Sequence, residues 1–303
     1  MLLNEVFSQD LDEAGIRDRL TKAAAIGAVG AGILGGIYGA DKLGNIPPVQ
    51  TRIEKPIEIP AQDGDIRSGE KQVTPGGQPH AEFPSHLSDQ STVSRDDRIK
   101  KFKSVFLPVV NLVNQSILHD RDNLKMILNP KHKLSEHDRI LVNTLADMYS
   151  VNLQNQDGSL RTIHDLAREL LYRVDAIPEY LVLAQAALES GWATSDLSRQ
   201  GLNFFGQRAT PRHQEHQKIK HTDGYNYRSF NSLEHGIRSY IHNLNTHRAY
   251  GDFRKARAAL RKQKNVSSDI MSNELTNHLQ AYSTSAEYPT ELRKIIQMLK
   301  RIK

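Results

Sequence analysis

Apolar residues recur at helical intervals along most of the chain, and the places where the recurrence stops divide it. In MLLNEVFSQDLDEAGIRDRL the positions Leu3, Val6, Phe7, Leu11 and Leu20 fall at roughly helical spacing between acids and arginines, which predicts a short amphipathic segment over residues 1–22. AAAIGAVGAGILGGIYGA, Ala23 to Ala40, follows as eighteen residues without a charge. That length is at the lower end of the ~17–25 residues a transmembrane helix needs. Six glycines and six alanines make the run weakly apolar. Gly32 and Gly36, and Gly35 and Gly39, have the spacing that lets helices approach closely in lipid. A membrane helix is favoured over a cleaved signal peptide, since a long mixed-charge stretch precedes the run and no short basic one does. Arg17, Arg19 and Lys22 on the near side would keep the N-terminus cytoplasmic and send the rest across.

From Asp41 to about Arg95 the periodicity is lost. Seven of the twelve prolines fall there with few large apolar residues, which predicts an extended tether over 41–95. Helical periodicity resumes in DDRIKKFKSVFLPVVNLVNQSIL. SEHDRILVNTLADMYSV predicts a second helix with Ser135 as N-cap and acids in its first turn. From Thr162 to the C-terminus the pattern is that of ordinary helices, interrupted between Gly206 and Phe230 by a polar stretch ending in GYNYRSF, which predicts an irregular loop or small hairpin. A mainly α domain of α+β type over 96–303, with a small loop or hairpin lobe, is the fold class this implies.

Composition narrows the chemistry. Forty Lys+Arg against thirty-five Asp+Glu leave a formal charge of +5, suited to acidic polymers such as an anionic cell wall, nucleic acid or a lipid surface. The absence of cysteine excludes disulfides, thiolate zinc sites and cysteine nucleophiles. His213, His216 and His221 with Glu215 match no zinc spacing and read as a polar loop. RKARAALRKQK, Arg254 to Lys264, lacks interleaved aromatics, so it reads as a solvated helix face attracted to an anionic envelope and not as a nucleic-acid patch.

One acid stands out. In PEYLVLAQAALESGWATS, Pro178 and Glu179 suit a helix start, Leu181, Ala184, Leu188 and Trp192 form an apolar stripe, and Gly191 suits a helix end. Glu189 therefore lies near the negative end of a helix dipole and beside the only tryptophan of the chain, and both surroundings raise its pKa. A carboxylic acid still protonated near neutrality is what a glycosidase uses to protonate a leaving oxygen. An ordinary exposed helix glutamate fits the same residues.

LAQAALESGWATSDL followed by GLNFFGQ resembles the signature of bacterial glucosaminidases of glycoside hydrolase family 73, and its Bax-type members especially. YRSFNSLEHGIRSYIHNL and AYSTSAEYPTELRKII resemble two further blocks of that family in the same order, so the likeness covers roughly Pro178 to Lys303. The resemblance implies a lysozyme-like fold and an endo-β-N-acetylglucosaminidase that hydrolyses peptidoglycan glycan strands without metal or organic cofactor. It implies Glu189 as general acid, and Trp192, Asn203, Phe204, Phe205, Gly206, Tyr227, Tyr282 and Tyr288 around the substrate, with Phe205 and Tyr282 as cleft walls. Arg228, Phe230 and Thr284 match the same blocks. A second carboxylate is expected on the loop after the NFFG block; Asp223 is preferred to Glu215 because Asp-Gly lies just before YRSF, and the N-acetyl group of the substrate is the alternative nucleophile. The sequence departs from the family pattern at Ala193, where glycine is usual, and at Ser285, where aspartate is usual. Lytic transglycosylase chemistry is the alternative within enzymes, and a non-catalytic wall-binding or phage virion module the alternative outside them. The expected location is the cell envelope, with membrane contact through Ala23 to Ala40 and the domain in the periplasm, or a virion.

Overall fold

The computed structural model describes residues 94–210, 218–283 and 285–302. The amphipathic segment, the Ala23–Ala40 span, the tether up to residue 93, the stretch holding His213, Glu215 and His216, and Thr284 lie outside them. Among the described residues no helix is long and apolar enough to cross a membrane.

The first helix, α1 (Arg95–Ile127), is 33 residues long and so spans about 50 Å. Ser94 caps it by accepting from Asp97 N, and Ile99, Phe102, Phe106, Val110, Val113, Ile117, Leu124 and Ile127 form its buried stripe. Pro108 sits inside it without ending it. Both Pro108 and Ser104, whose carbonyl it deprives of a helical partner, are exposed, so water satisfies what the proline removes. Helix α2 (Glu136–Met148) begins as expected at Ser135, in a full capping box with Asp138. Then come α3 (Ile163–Arg173), α4 (Glu179–Ser190) and the short α5 (Asp196–Gly201). The polar stretch folds as a hairpin of β1 (Lys218–Lys220) and β2 (Asn226–Arg228), antiparallel with Ile219 opposite Tyr227. Four helices complete the domain: α6 (Leu233–Thr246), α7 (Gly251–Lys262), α8 (Ser268–Leu275) and α9 (Tyr288–Arg301). The mainly helical expectation with a small hairpin therefore holds.

Helix α4 is the centre. The sequence predicts a one-sided apolar stripe on it, yet residues 181–187 are all buried, because α9, α1 and α8 pack around it. Leu188 and Trp192 are half-buried at its far end. A helix enclosed in this way is fixed on every side, and whatever it carries at its C-terminus is held accurately.

The arginines of α7 correct the expected solvated face. Arg254 and Arg257 are 8% and 1% exposed. Arg254 donates to Leu244 O (3.0 Å) and His247 O (2.9 Å), at the C-terminal end of α6. Arg257 donates to Asn245 Oδ1 (2.7 Å) and Tyr172 O (3.2 Å), and its Nε lies 3.5 Å from Asp175. Arg121 of α1 reaches Val174 O (2.9 Å), and Arg261 donates to Asp175 Oδ2 (2.6 Å). The carbonyls left open at two helix ends attract the cations, and Asp175 supplies a buried full counter-charge. Burial lowers the pKa of both Arg254 and Arg257 to about 10, which leaves them charged at neutrality.

Candidate active site

Helix α4 ends at Gly191, in the left-handed conformation (φ 58°) as expected, but the left-handed path continues through Trp192 (φ 61°) and Ala193 (φ 70°). Side chains with a Cβ are strained there, which gives a reason for glycine at the Ala193 position of the family motif. The strain is held by Ser190, a residue the sequence reading passed over. Its buried hydroxyl donates to Ala186 O (2.6 Å) and accepts from Ala193 N (2.8 Å), while Trp192 N donates to Ala187 O (2.8 Å). The turn swings Trp192 edge-on against Phe102 of α1, ring centroids 5.4 Å apart. Replacing Ser190 with Ala strands the Ala193 N–H in a buried place, and urea unfolding should show a loss of about 1–3 kcal/mol. An unchanged midpoint would mean that the turn holds itself.

Glu189 sits immediately before this turn. Its side chain is open to solvent, yet enough protein crowds the carboxyl for burial to push its pKa up to about 7, against a weaker lowering by a hydrogen bond from Tyr288. Tyr288 Oη donates to Glu189 Oε1 at 2.8 Å, and in turn accepts from Gln185 Nε2 at 3.0 Å. Tyr240 donates its hydroxyl to Gln185 Oε1. Three elements, α4, α6 and α9, thus meet in one hydrogen-bonded line that ends on Glu189.

The shift makes stability depend on pH. A raised carboxyl pKa means that the folded protein holds a proton the unfolded chain has released, so the contribution is full below about 4.5 and is lost as pH rises to about 7. Glutamine at position 189 removes that loss. The melting temperature of Glu189→Gln relative to the unsubstituted protein should rise across this window and level off above it. A gap that does not change with pH would contradict the raised pKa.

The aromatic residues divide. Phe204, Phe205, Tyr282 and Tyr288 are 5% exposed or less, so Phe205 and Tyr282, expected as cleft walls, lie beneath the surface. Phe205 stacks on Tyr240 (4.0 Å between centroids), Tyr282 stacks on Tyr288 (5.9 Å), and Tyr282 Oη donates to Phe205 O (2.7 Å). Tyr288 lies directly against Glu189, while Phe204 packs edge-on against Phe106 of α1, ring centroids 4.8 Å apart. Trp192, Gly206 and Tyr227 remain partly exposed. Asn203 is also buried: its amide donates to Gln207 O (2.8 Å) and Arg228 O (3.0 Å) and its oxygen accepts from Gln207 N (2.9 Å). The NFFGQ stretch therefore ties the hairpin to the helical body. Gly201 serves the same joint, since a Cβ there would run into the Ile219 side chain of β1.

Asp223 lies in the hairpin turn, exposed, accepting from Tyr227 Oη (2.7 Å) and Tyr225 N (3.0 Å), 3.3 Å from His221 Nδ1. The Tyr227 hydrogen bond, first among several, lowers its pKa. None of these bonds reaches the Glu189 line, so the two carboxyls occupy separate networks with opposite tendencies. Ser285, where the pattern the sequence resembles has aspartate, accepts from Glu287 N (3.3 Å) and so makes the turn that leads into α9. Among the described residues no group of three or more His, Cys, Asp or Glu side chains is arranged to hold a metal ion.

Residues 164–301 match the glucosaminidase family, described as mannosyl-glycoprotein endo-beta-N-acetylglucosaminidase. Among curated proteins the chain is similar to Protein bax of Escherichia coli (strain K12), 32% identical over 192 residues, which is 63% of this chain and 65% of that protein. The chain thus spans slightly less than two thirds of that relative's length. No solved structure matches.

Proposed function

We propose, from the match of residues 164–301 to the glucosaminidase family, that this protein is an endo-β-N-acetylglucosaminidase of peptidoglycan with Glu189 as its general acid. The observation that carries the reading is the carboxyl of Glu189, solvent-accessible yet held near pKa 7 at the end of a buried helix. In that state it retains a proton at neutral pH and can hand it to a glycosidic oxygen as the bond breaks.

Asp223 supplies the complementary group. Its lowered pKa keeps it ionised, as a base that activates water or a stabiliser of positive charge at the sugar must be. Two carboxyls pushed in opposite directions are the arrangement by which acid and base roles are divided in glycosidases. The helix-borne acid with a hairpin lobe tied beside it supports the lysozyme-like reading of the fold. The positive charge of the chain, +5, favours an anionic wall polymer. Ala23 to Ala40 would hold the protein at a membrane with this domain in the periplasm, and sedimentation of the full chain with membranes tests that placement.

The activity itself is tested by mass spectrometry of purified peptidoglycan after digestion. New reducing-end N-acetylglucosamine is the expected product. Anhydro-muramyl ends would instead establish a lytic transglycosylase, and binding without any cleavage a non-catalytic wall-binding module.

A further inference from the structure

We propose that Tyr240 and Gln185 are positioning residues that decide which oxygen of Glu189 carries its proton, through the hydroxyl of Tyr288. The inference rests on Glu189 being the acid, and it extends that reading to two residues with no assigned part in it.

The line is directional. Gln185 is one helical turn before Glu189 on the same face of α4 and is fully buried among apolar side chains. A primary amide there is costly unless both of its ends are bonded. Tyr240 has a single proton to give and gives it to Gln185 Oε1, which turns the Gln185 amino group toward Tyr288. Tyr288 Oη, already accepting from that amino group, directs its own proton to Glu189 Oε1. Oε1 then faces a donor and has no use for a proton, so the proton of the neutral carboxyl resides on Oε2. Were the Gln185 amide reversed, its oxygen would face Tyr288 and take the tyrosine proton. Tyr288 would then accept from Glu189, and the catalytic proton would point into the protein.

Among the described residues, the charges that act on the line come from Glu189 itself, Tyr282, Tyr288, Tyr240 and Tyr250, with no cation among them. Burial raises the pKa of Tyr240, Tyr282 and Tyr288 well above the usual tyrosine value, so these hydroxyls remain donors throughout the working range. The Tyr240 ring is also anchored independently of its hydroxyl, by the stack on Phe205. Removing the hydroxyl therefore leaves the packing in place.

The test is Tyr240→Phe in the full chain, read in two ways. Freed from Tyr240, the Gln185 amide samples both orientations, and a share of molecules carry an inward-pointing proton. The ¹³C NMR titration of the Glu189 carboxyl should move to higher pH, by about one unit, because Tyr288 now bonds the neutral form. On peptidoglycan, kcat should fall about tenfold with KM little changed, and the alkaline limb of the rate profile should move to higher pH with the titration. A merely structural role would lower stability without raising the pKa. If Tyr240→Phe does not fold, Gln185→Met, which keeps the volume and removes the amino donor, is read by the same measurements with the same expected directions. An unchanged or lowered Glu189 pKa, or an unchanged kcat, overturns the proposal. The NMR reading needs no catalysis, so an unsubstituted protein that titrates as described but never cleaves glycan would refute the enzymatic reading and leave the hydrogen-bond relay standing.

Discussion

Glu189→Gln should abolish glycan cleavage, lowering kcat by at least about 10²–10⁴-fold, while the domain stays folded. Glutamine has the same shape, and its amide oxygen can accept the Tyr288 hydroxyl that Glu189 Oε1 accepts at 2.8 Å. What it lacks is a transferable proton. The unsubstituted protein should show the corresponding pH dependence: with the pKa of Glu189 near 7, the protonated fraction, and kcat/KM with it, drops about tenfold per pH unit well above that value. Release of reducing ends from isolated glycan strands measures both effects. Cleavage that survives the substitution in pure protein would remove Glu189 from the acid's role, and the raised pKa would then be only a consequence of burial.

The largest loss of stability should come from Asp175→Ala, far from any substrate contact. Asp175 is 1% exposed, and Arg261, Arg257 and Arg121 lie within 2.6, 3.5 and 3.7 Å of its Oδ2. Arg257 is itself 1% exposed and cannot turn to water when its counter-charge is removed. Breaking a buried pair by deleting one partner costs about 3–5 kcal/mol, because the remaining charge is left uncompensated. In a domain of this size that is roughly a 10 °C fall in melting temperature. Arg261→Ala, which removes a side chain that is 32% exposed, should cost far less. Circular dichroism melts of the two variants check the ranking, and equal losses would show that the cluster contributes through packing and not through charge.

The same cluster positions the site, since residues 175–177 lead directly into α4. Asn114 of α1 donates to Ile177 O (2.8 Å) and accepts from Ile177 N (3.2 Å), and Asn245 donates to Asp175 O (2.9 Å). The start of α4 is therefore bolted to α1 and α6, and its end is locked by the Ser190 turn. Glu189 is held from both directions, which suits the proton-donor role proposed for it, since a donor must meet its acceptor within a fraction of an ångström.

Local physics made part of this legible before any tertiary structure. The Ser135 cap, the helix end at Gly191 and the hairpin in the polar stretch ending in YRSF follow from residues within a few positions of each other, where helix periodicity, capping and turn composition are decided. The sequence also points to a raised Glu189 pKa, from the helix end and Trp192, but its first cause is burial by the folded protein. What depended on distant partners was not legible. RKARAALRKQK has the composition of a solvated face, and only the docking of α7 against the ends of α3 and α6 turns two of its arginines inward. Phe205 and Tyr282 sit in stretches whose family resemblance implies cleft walls, yet both rings are buried, stacked on Tyr240 of α6 and Tyr288 of α9. Gln185 reads as one more polar residue in a helix, and its role requires Tyr240 and Tyr288, 55 and 103 residues away, to arrive at its two ends. The sequence by itself determined the helices, their ends and which acid stands at the end of α4. Tertiary structure decided which way that acid's hydrogen bonds run, because direction in a buried polar line is set by donors and acceptors that only folding brings together.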